Sequence, residues 1–260
     1  MEYLSKAEQS RIRVLNKKSE RLSQNRFLVE GIKLCTELLG SDFSIQCAVI
    51  SDNASHGALA LADDFIKADI EVYKAGSASF ERMCDVVNPQ GIFAIADLPF
   101  PMKDIPTTFL ALEHINDPGN LGTIIRTADW FGIQHVILGG ASADPFGPKA
   151  LRASMGSCFR ISLQEVPSLS SFLQSWQQIH HEGQVYGMMV QGTTSLLDIH
   201  SIPTAWGLIV GSESHGLSEE TTSCIMHPIR IDGSGSAESL NVGIATGIAL
   251  YHCMNVQSGQ

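Results

Sequence analysis

Residues 233–250 have the sequence GSGSAESLNVGIATGIAL, in which small, turn-forming residues lead into an apolar segment. Ser239 is a candidate N-cap, because its side-chain oxygen can accept a hydrogen bond from the first turn of a helix. Two sets of residues then recur every four positions on different faces of the predicted helix: apolar Leu240, Ile244 and Ile248, and the glycines Gly243 and Gly247. The pattern predicts a buried helix that lets another element pack close to its backbone, with polar Glu238, Ser239 and Asn241 at its mouth.

The composition is that of a globular protein of one large or two small domains. The chain has 260 residues, of which 44% are hydrophobic and 17% are charged. Its first residues contain no apolar core of signal-peptide length, and no later run approaches the ~20 apolar residues of a membrane span. We therefore expect a cytoplasmic protein with no membrane partner.

Cysteine and histidine spacing indicates neither a disulfide framework nor a metal site. None of the six cysteines forms a C-x-x-C pair, and the nine histidines show no H-x-x-x-H spacing. Most cysteines have apolar or small neighbours, which predicts reduced thiols in the core. We expect no bound metal.

Charge is distributed unevenly along the chain. The net charge of −10 argues by itself against a nucleic-acid partner. Residues 1–33, however, carry eight basic and four acidic side chains, whereas the remainder carries nine basic and 23 acidic ones. This basic N-terminal arm suits phosphate binding, although a solvated amphipathic helix explains the same charges equally well.

Alternating helical and strand patterns predict an α/β layer fold. In the first half we predict helices at residues 4–24, 26–39, 59–68 and 77–85, and strands at 45–51, 70–73 and 91–96. Residues 97–107 hold three of the ten prolines, which marks a domain boundary. We therefore predict one domain at 1–96, a linker at 97–107 and a second domain at 108–260, where strands that end in glycine-containing loops resume the alternation.

Three stretches of the second domain carry polar residues that a purely structural loop does not need. The first is NDPGNLGTIIRTA at 116–128. It places Asn120 at a helix start and Arg126 within an otherwise apolar helix. An arginine there either lies at the surface or binds an anion. The planar guanidinium suits phosphate or carboxylate.

The second stretch is IVGSESHGLS at 209–218, and the third is the segment at 233–250. In the second, a helix capped by Ser218 explains the end of the loop but not Glu213. In the third, a capped core helix explains Ser239 but leaves Asn241 unexplained.

Together the three stretches resemble the motifs of the SpoU (TrmH-type) RNA 2′-O-ribose methyltransferases of the SPOUT superfamily. The first is similar to N-x-G-x-x-x-R-T-A, the second to G-x-E-x-x-G and the third to S-L-N-V followed by a small, apolar helix. The resemblance covers residues 108–256, and KALRAS at 149–154 is similar to a further family segment. Residues 10–96, with RFLVEG at 26–31, look like the ribosomal-protein-like substrate-binding domain of many members. Five residues depart from the family pattern in ways that bear on substrate preference: Ser214, His215, Asp232, Gly233 and Gly243.

The resemblance implies methyl transfer from S-adenosyl-L-methionine to a ribose 2′-hydroxyl of RNA, in an α/β catalytic domain with a deep trefoil knot. The implied catalytic residues are Arg126, Asn120, Glu213, Ser239 and Asn241. Backbone groups in the loops after residues 138, 210 and 231 would hold the cofactor, near Gly140, Gly211, Ile231 and Leu240. Because arginine is effectively always protonated, we expect Arg126 to anchor phosphate and stabilise the transition state rather than act as the base.

The resemblance also implies an RNA partner and a homodimer whose interface includes the helix at 239–254. The candidate RNA-binding residues are Arg11, Arg13, Lys17, Lys18, Arg26, Lys149 and Arg152. Only RNA offers the 2′-hydroxyl. The ribosomal-protein-like domain favours ribosomal over transfer RNA, since members acting on transfer RNA often lack it. A transfer RNA methyltransferase and a non-enzymatic RNA-binding ribosome factor remain the alternatives.

Two other enzyme classes fit the sequence less well. HVILGGASAD, which starts at His135, ends a predicted strand in two glycines but lacks the G-x-G-x-x-G of dinucleotide-binding oxidoreductases. The nucleophile elbow of a serine hydrolase would need glycine at position 212, where Ser212 stands.

Overall fold

The computed structural model describes residues 1–101, 104–212 and 216–257. Glu213 of the second motif therefore lies outside the described residues. Internal contacts divide the chain into two compact units, Met1–Phe100 with Phe146–Phe159, and Pro101–Pro145 with Arg160–Gln260. The sequence-based division differs in two segments. It assigns residues 146–159 to the second domain, and it treats as a linker residues 97–107, of which 97–100 belong to the first unit and 101–107 to the second.

The first unit contains a mixed sheet flanked by helices. In chain order its elements are α1 (Lys6–Arg13), α2 (Lys18–Gln24), β1 (Arg26–Glu30), α3 (Ile32–Leu39), β2 (Ile45–Ser51), α4 (His56–Lys67), β3 (Val72–Ala75), α5 (Ser77–Met83) and β4 (Ile92–Asp97). The strand order is β1-β4-β2-β3, in which β4 runs antiparallel to both neighbours and β2 is parallel to β3. Its core includes Ile12 of α1, Phe80 of α5 and Phe93 of β4.

The stretch at 26–39, which we predicted as one helix, is a strand followed by a helix. Phe27, Leu28 and Val29 are all buried, and β1 pairs with β4 along its whole length. Gly31 then adopts φ +92°, a left-handed conformation that other residues rarely adopt, and ends the strand. The helical prediction was wrong because a short, fully buried apolar run has the same composition in a strand as in a helix.

The basic N-terminal arm, predicted as one helix at 4–24, is also divided. A 3₁₀ helix at Val14–Asn16 follows α1, and Lys17 then adopts extended backbone with φ −99° and ψ 133°. The predicted break at Asn25 is confirmed, since this residue ends α2 in the left-handed conformation with φ 52°.

The second unit contains a parallel sheet. Continuing along the chain, the elements are β5 (Thr108–Glu113), α6 (Pro118–Trp130), β6 (His135–Gly139), α7 (Pro148–Ser154, in the first unit), β7 (Ser162–Glu165), α8 (Leu169–Ile179), β8 (Gln184–Met188), β9 (Thr194–Ser195), β10 (Trp206–Gly211), α9 (Glu219–Thr222), β11 (His227–Arg230) and α10 (Val242–Gln257). The strand order is β7-β6-β5-β10-β8-β11-β9, and neighbouring strands run parallel. The carboxyl ends of the strands therefore lie along one edge, where open α/β sheets bind their ligands.

Each unit has its own aromatic core. In the second unit the fully buried Trp176 packs on Phe109, with ring centroids 5.3 Å apart, and its Nε1 donates to the Pro106 carbonyl. In the first unit the Phe27 ring centroid lies 4.9 Å from that of Phe146 and 6.3 Å from that of Phe159. These two contacts explain why residues 146–159 group with the first unit.

Helix α10 begins three residues later than predicted, and its N-cap is Asn241 rather than Ser239. Asn241 Oδ1 accepts hydrogen bonds from the backbone N–H groups of Gly243, at 3.0 Å, and Ile244, at 3.4 Å. These are the second and third residues of the helix, the positions that an N-cap side chain normally reaches. Ser239 lies two residues too early to cap this helix.

Of the two faces predicted for α10, one is packed against another helix and the other is exposed. The glycine face is confirmed, since Gly243 and Gly247 lie against Thr123 and Thr127 of α6. The apolar stripe is not buried in this chain, because Leu240, Ile244 and Ile248 expose 44%, 57% and 39% of their surface. Among the described residues, no helix combines the length and the apolar character that a membrane span requires.

Candidate active site

The first and third motifs meet through their asparagines. Asn241 Nδ2 donates a hydrogen bond to Asn120 Oδ1 at 3.2 Å, although the two residues are 121 positions apart. Because Asn241 Oδ1 already accepts from the first turn of α10, the amide is fixed in this orientation. A side chain that the sequence left unexplained thus caps one helix and links it to another.

Asn120 itself is held by the first turn of α6. Asp117 caps this helix, and its Oδ1 accepts from the Asn120 backbone N–H at 2.9 Å. Pro118 occupies the first helical position, where its missing N–H costs nothing. The cap therefore sets the backbone of Asn120, and the contact with Asn241 sets its side chain.

Arg126 lies on α6, six residues after Asn120, and its side chain is exposed. None of the ion pairs among the described residues includes this guanidinium, which carries five donors that suit an anion. Ser239 is also exposed and precedes α10 by three residues. Because Asn241 provides the cap, the Ser239 hydroxyl is not needed for that purpose.

Gly211 ends β10 at the start of the loop that carries the second motif. A Cβ at this position would lie 2.4 Å from the Gly216 carbonyl oxygen, so only glycine fits. The loop closes on itself, because the Gly216 N–H donates to the Ser212 carbonyl at 2.9 Å. The first glycine of the second motif therefore has a structural cause in addition to any approach of a ligand.

The other predicted cofactor positions lie at the same edge of the sheet. Gly140 follows β6 with φ +60°, and a Cβ there would lie 2.6 Å from His114 Cε1. Ile231 follows β11 and is half-buried, and Leu240 is exposed before α10. Strand β5 separates β6 from β10, and β8 separates β10 from β11. The structure therefore places these residues along one edge without joining them in one cluster.

Asp232 fixes the chain after β11. Its carboxylate accepts hydrogen bonds from the Ser195 hydroxyl and from Arg230 Nε, the latter at 2.9 Å. These two bonds, the one from Ser195 most strongly, hold the pKa of Asp232 below its ordinary value. These hydrogen bonds therefore hold the start of the loop after β11, next to Ile231.

Glu113 lies at the same edge of the sheet, and none of the sequence motifs includes it. It ends β5, pairs in register with Gly139 and Gly211, and is 5% exposed. Its carboxylate accepts hydrogen bonds from the Ser218 backbone N–H at 2.8 Å, the Ser218 hydroxyl at 2.9 Å and the Thr221 hydroxyl at 2.7 Å. Glu113 therefore anchors the far end of the loop that begins at Gly211. The signal in the sequence is an acidic residue that directly ends an apolar strand.

Some of the predicted RNA-binding residues of the first unit are exposed, and others interact with side chains of the protein. Arg11, Arg13 and Lys17 are exposed. Arg26 donates to Asp97 and Gln46, and Arg152 Nη1 lies 2.9 Å from Asp85 Oδ2. Lys18 and Lys149 also have interaction partners. The first three are therefore the cations most available to phosphate.

All six cysteines are free, and burial raises the pKa of several of their thiols. The pKa of Cys253 rises to about 12 and that of Cys47 to about 11. Among the described residues, no group of three or more His, Cys, Asp or Glu side chains could hold a metal ion.

Two family models match the chain. The SpoU rRNA Methylase family matches residues 107–251, and the MRM3-like substrate binding domain matches residues 10–94. The 23S rRNA (guanosine(2553)-2′-O)-methyltransferase RlmP of Bacillus subtilis (strain 168) is 33% identical over 245 residues, which is 92% of each chain.

Solved structures of RNA methyltransferases superpose on almost the whole chain. An RNA methyltransferase of the TrmH family from Porphyromonas gingivalis is 33% identical, with a TM-score of 0.84 and 99% of both chains covered. The AdoMet-bound rRNA methyltransferase from Sinorhizobium meliloti is 29% identical, with a TM-score of 0.83, and the match covers 98% of this chain and 96% of that one. Because a family model spans more than half of the sequence and includes all three motifs, the chain belongs to the SpoU rRNA methylase family.

Proposed function

We propose that this protein transfers the methyl group of S-adenosyl-L-methionine to a ribose 2′-hydroxyl of ribosomal RNA. The observation that carries the proposal is the hydrogen bond between Asn120 and Asn241, which joins two motifs 121 residues apart on two packed helices. The RlmP and Sinorhizobium meliloti relatives, named as rRNA methyltransferases, support ribosomal RNA as the substrate.

The residues at the edge of the sheet fit the proposed cofactor. Gly140 is exposed and Gly211 is partly exposed, so a polar ligand can reach the backbone groups at the ends of β6 and β10. Ile231 and Leu240 offer apolar surface of the kind that lines cofactor sites. When bound, the cofactor supplies a sulfonium methyl group that is already electrophilic. The proposal includes the deep trefoil knot implied for the loops after residues 138, 210 and 231.

The protein's own contribution is to position the ribose and to stabilise charge. Arg126 is protonated and exposed, so it anchors an RNA phosphate and stabilises the transition state rather than removing the proton. Asn120 and Asn241 fix each other, while Glu213 and the Ser239 hydroxyl orient the ribose or the cofactor. Positioning of this kind can supply ~7–11 kcal/mol of the barrier.

The first unit binds the RNA in this proposal. Arg11, Arg13 and Lys17 present exposed cations, and the matching family model is described as a substrate binding domain. A protein that modifies ribosomal RNA works where that RNA is made, which supports the predicted cytoplasmic location.

The proposal also includes a homodimer that uses α10. Leu240, Ile244, Ile248 and Tyr251 expose between 39% and 62% of their surface, and Trp130 at the end of α6 exposes 84%. A contiguous exposed apolar surface commonly marks a protein interface. A second copy of the chain would cover this stripe next to the asparagine pair.

Two measurements test the proposed reaction. Calorimetry measures binding of S-adenosylmethionine to the full chain, and radiolabelled methyl incorporation is then measured separately on ribosomal and transfer RNA. We expect binding and incorporation into ribosomal RNA, with activity lost in Arg126→Ala. Incorporation only into transfer RNA would favour the transfer RNA alternative, and no incorporation into any RNA class would favour a non-enzymatic ribosome factor.

A further inference from the structure

A groove of about 410 Å³ opens on the first unit, beside the end of β1 and the start of α3. Every residue that lines it belongs to Met1–Phe100 or Phe146–Phe159, so it is distinct from the asparagine pair of the second unit. Its volume lies in the range of about 300–1,000 Å³ that is typical of small-ligand sites. Half-buried Val86, Pro89 and Met155 contribute apolar surface to it.

Lys33 is the cation of the groove that no carboxylate of the described residues pairs with. Lys33 is exposed and, within the described ranges, forms no ion pair. The Glu30 carboxylate instead accepts from the backbone N–H groups of Asp85 and Val86, and burial raises its pKa. Arg152 pairs with Asp85 at 2.9 Å. The groove therefore complements an anion at Lys33.

Two amide side chains provide hydrogen-bonding groups on the same groove. Gln90 Oε1 accepts from the Ile32 N–H at 2.8 Å, which leaves its NH₂ group as a donor. Asn88 is exposed, and none of the described residues forms a hydrogen bond with its side chain. Amides of this type pair with the donor and acceptor groups on the edge of a nucleobase.

We propose that this groove binds one unpaired nucleotide of the RNA substrate, with Lys33 on its phosphate and Asn88 and Gln90 on the edge of its base. The apolar surface of Val86, Pro89 and Met155 would lie under the base. An A-form duplex could not enter, because its base edges are not splayed out as they are in loops and bulges. The inference rests on the proposed function, because it requires RNA as the substrate.

Salt-dependent binding of the full chain to protein-free ribosomal RNA tests the groove. The variants are Lys33→Gln and Asn88→Ala, and Lys67→Gln is the matched control, since Lys67 is a cation of the same unit that pairs with Asp64 and does not line the groove. We expect each groove variant to raise Kd about 2- to 10-fold. Lys33→Gln should also reduce the slope of log K against log salt by about 1, whereas Asn88→Ala should leave the slope unchanged.

Wild-type Kd and slope in both groove variants would overturn the proposal, as would an equal effect of Lys67→Gln. Unchanged binding to protein-free RNA with weaker binding to ribosomal particles would also overturn it, in favour of a protein segment in the groove. A photoreactive p-benzoylphenylalanine at position 88 adds an independent readout, for which we expect crosslinks to unpaired nucleotides. These assays measure binding without methylation, so failure of the proposed reaction is recognised separately by absent methyl transfer in the wild type.

Discussion

At the scale of single residues, Asn241 combines a structural role with a proposed catalytic one in a single amide. Its Oδ1 caps α10, and its Nδ2 holds Asn120. The two atoms can be separated chemically, because an aspartate at an N-cap accepts hydrogen bonds equally well but cannot donate one. This residue therefore allows the contribution of the cap and the contribution of the motif contact to be measured separately.

We predict that Asn241→Asp keeps the melting temperature near that of the wild type but lowers kcat about 10- to 100-fold, because Asn120 loses its donor. Asn241→Ala should lose the same activity and also about 1 kcal/mol of stability, since the cap is removed. Thermal unfolding and single-turnover methyl transfer measure the two effects. Wild-type activity in the aspartate variant would contradict the assigned role of the contact.

Glu113 is the second residue with a testable effect on the site. Its buried carboxylate accepts three hydrogen bonds from Ser218 and Thr221, and hydrogen bonds to charged groups contribute about 1.5–3 kcal/mol. We predict that Glu113→Gln lowers the melting temperature and raises KM for S-adenosylmethionine about tenfold, with a smaller change in kcat, because the loop after Gly211 loses its far anchor. Exposed Glu219 in the first turn of α9 provides the control, and Glu219→Gln should change neither quantity. An unchanged KM in Glu113→Gln would show that the anchor is structural alone.

At the scale of elements, local signals indicated where several helices and strands of the second unit begin or end. Helix α6 begins where Asp117 and Pro118 supply a cap and a first residue, and β10 ends at the glycine that the loop requires. These features depend on residues a few positions apart, so the sequence displays them directly. The same holds for Ser218, whose predicted cap is confirmed by the hydrogen bond from the Thr221 N–H.

The orientation of α10 could not be predicted in the same way. The helix is apolar or small on almost every side, so periodicity does not choose which side is buried. The choice follows from α6, whose Thr123 and Thr127 accept the glycine face. Likewise, the role of Glu113 depends on Ser218, 105 residues away. Contacts of this range are a property of the folded chain and leave no local pattern.

The exposed stripe of α10 gives a prediction for assembly. We expect Ile244→Asp to convert the proposed dimer into a monomer without unfolding, because this side chain is 57% exposed in the single chain and would be buried only by a second copy. Leu59→Asp is the control, since Leu59 is 44% exposed on α4 of the first unit. Sedimentation velocity at micromolar concentration distinguishes the two states. A wild type that sediments as a monomer would contradict the dimer itself.

At the scale of the whole molecule, net charge was a poor guide to the RNA partner. The chain carries −10, yet Arg11, Arg13 and Lys17 form an exposed basic segment near its start. The sequence could not show that Arg26 and Arg152 are paired with Asp97 and Asp85, because these partners are 71 and 67 positions away. Exposure and pairing, rather than the total charge, therefore decide which cations are available to phosphate.

Two buried thiols allow the stability of each unit to be followed within one intact chain. Cys35 lies in the first unit and Cys253 in the second, and both are fully buried. Burial raises the pKa of both thiols, that of Cys253 to about 12, so few molecules carry the reactive thiolate in the folded state. Alkylation at pH 8 should therefore follow opening of the surrounding structure.

We predict that S-adenosylmethionine at a hundred times its Kd slows alkylation of Cys253 about 100-fold, because a ligand that binds only the folded state adds about 2.7 kcal/mol to its stability. Quantitative mass spectrometry of peptides that contain each cysteine measures both rates in the same sample. Cys35 serves as the internal reference, since the cofactor residues proposed above all belong to the second unit. Slowing that is confined to Cys253 would support the cofactor site in the second unit. An unchanged rate at Cys253 would contradict cofactor binding at Gly140, Gly211, Ile231 and Leu240, because binding there must stabilise the unit that holds this thiol.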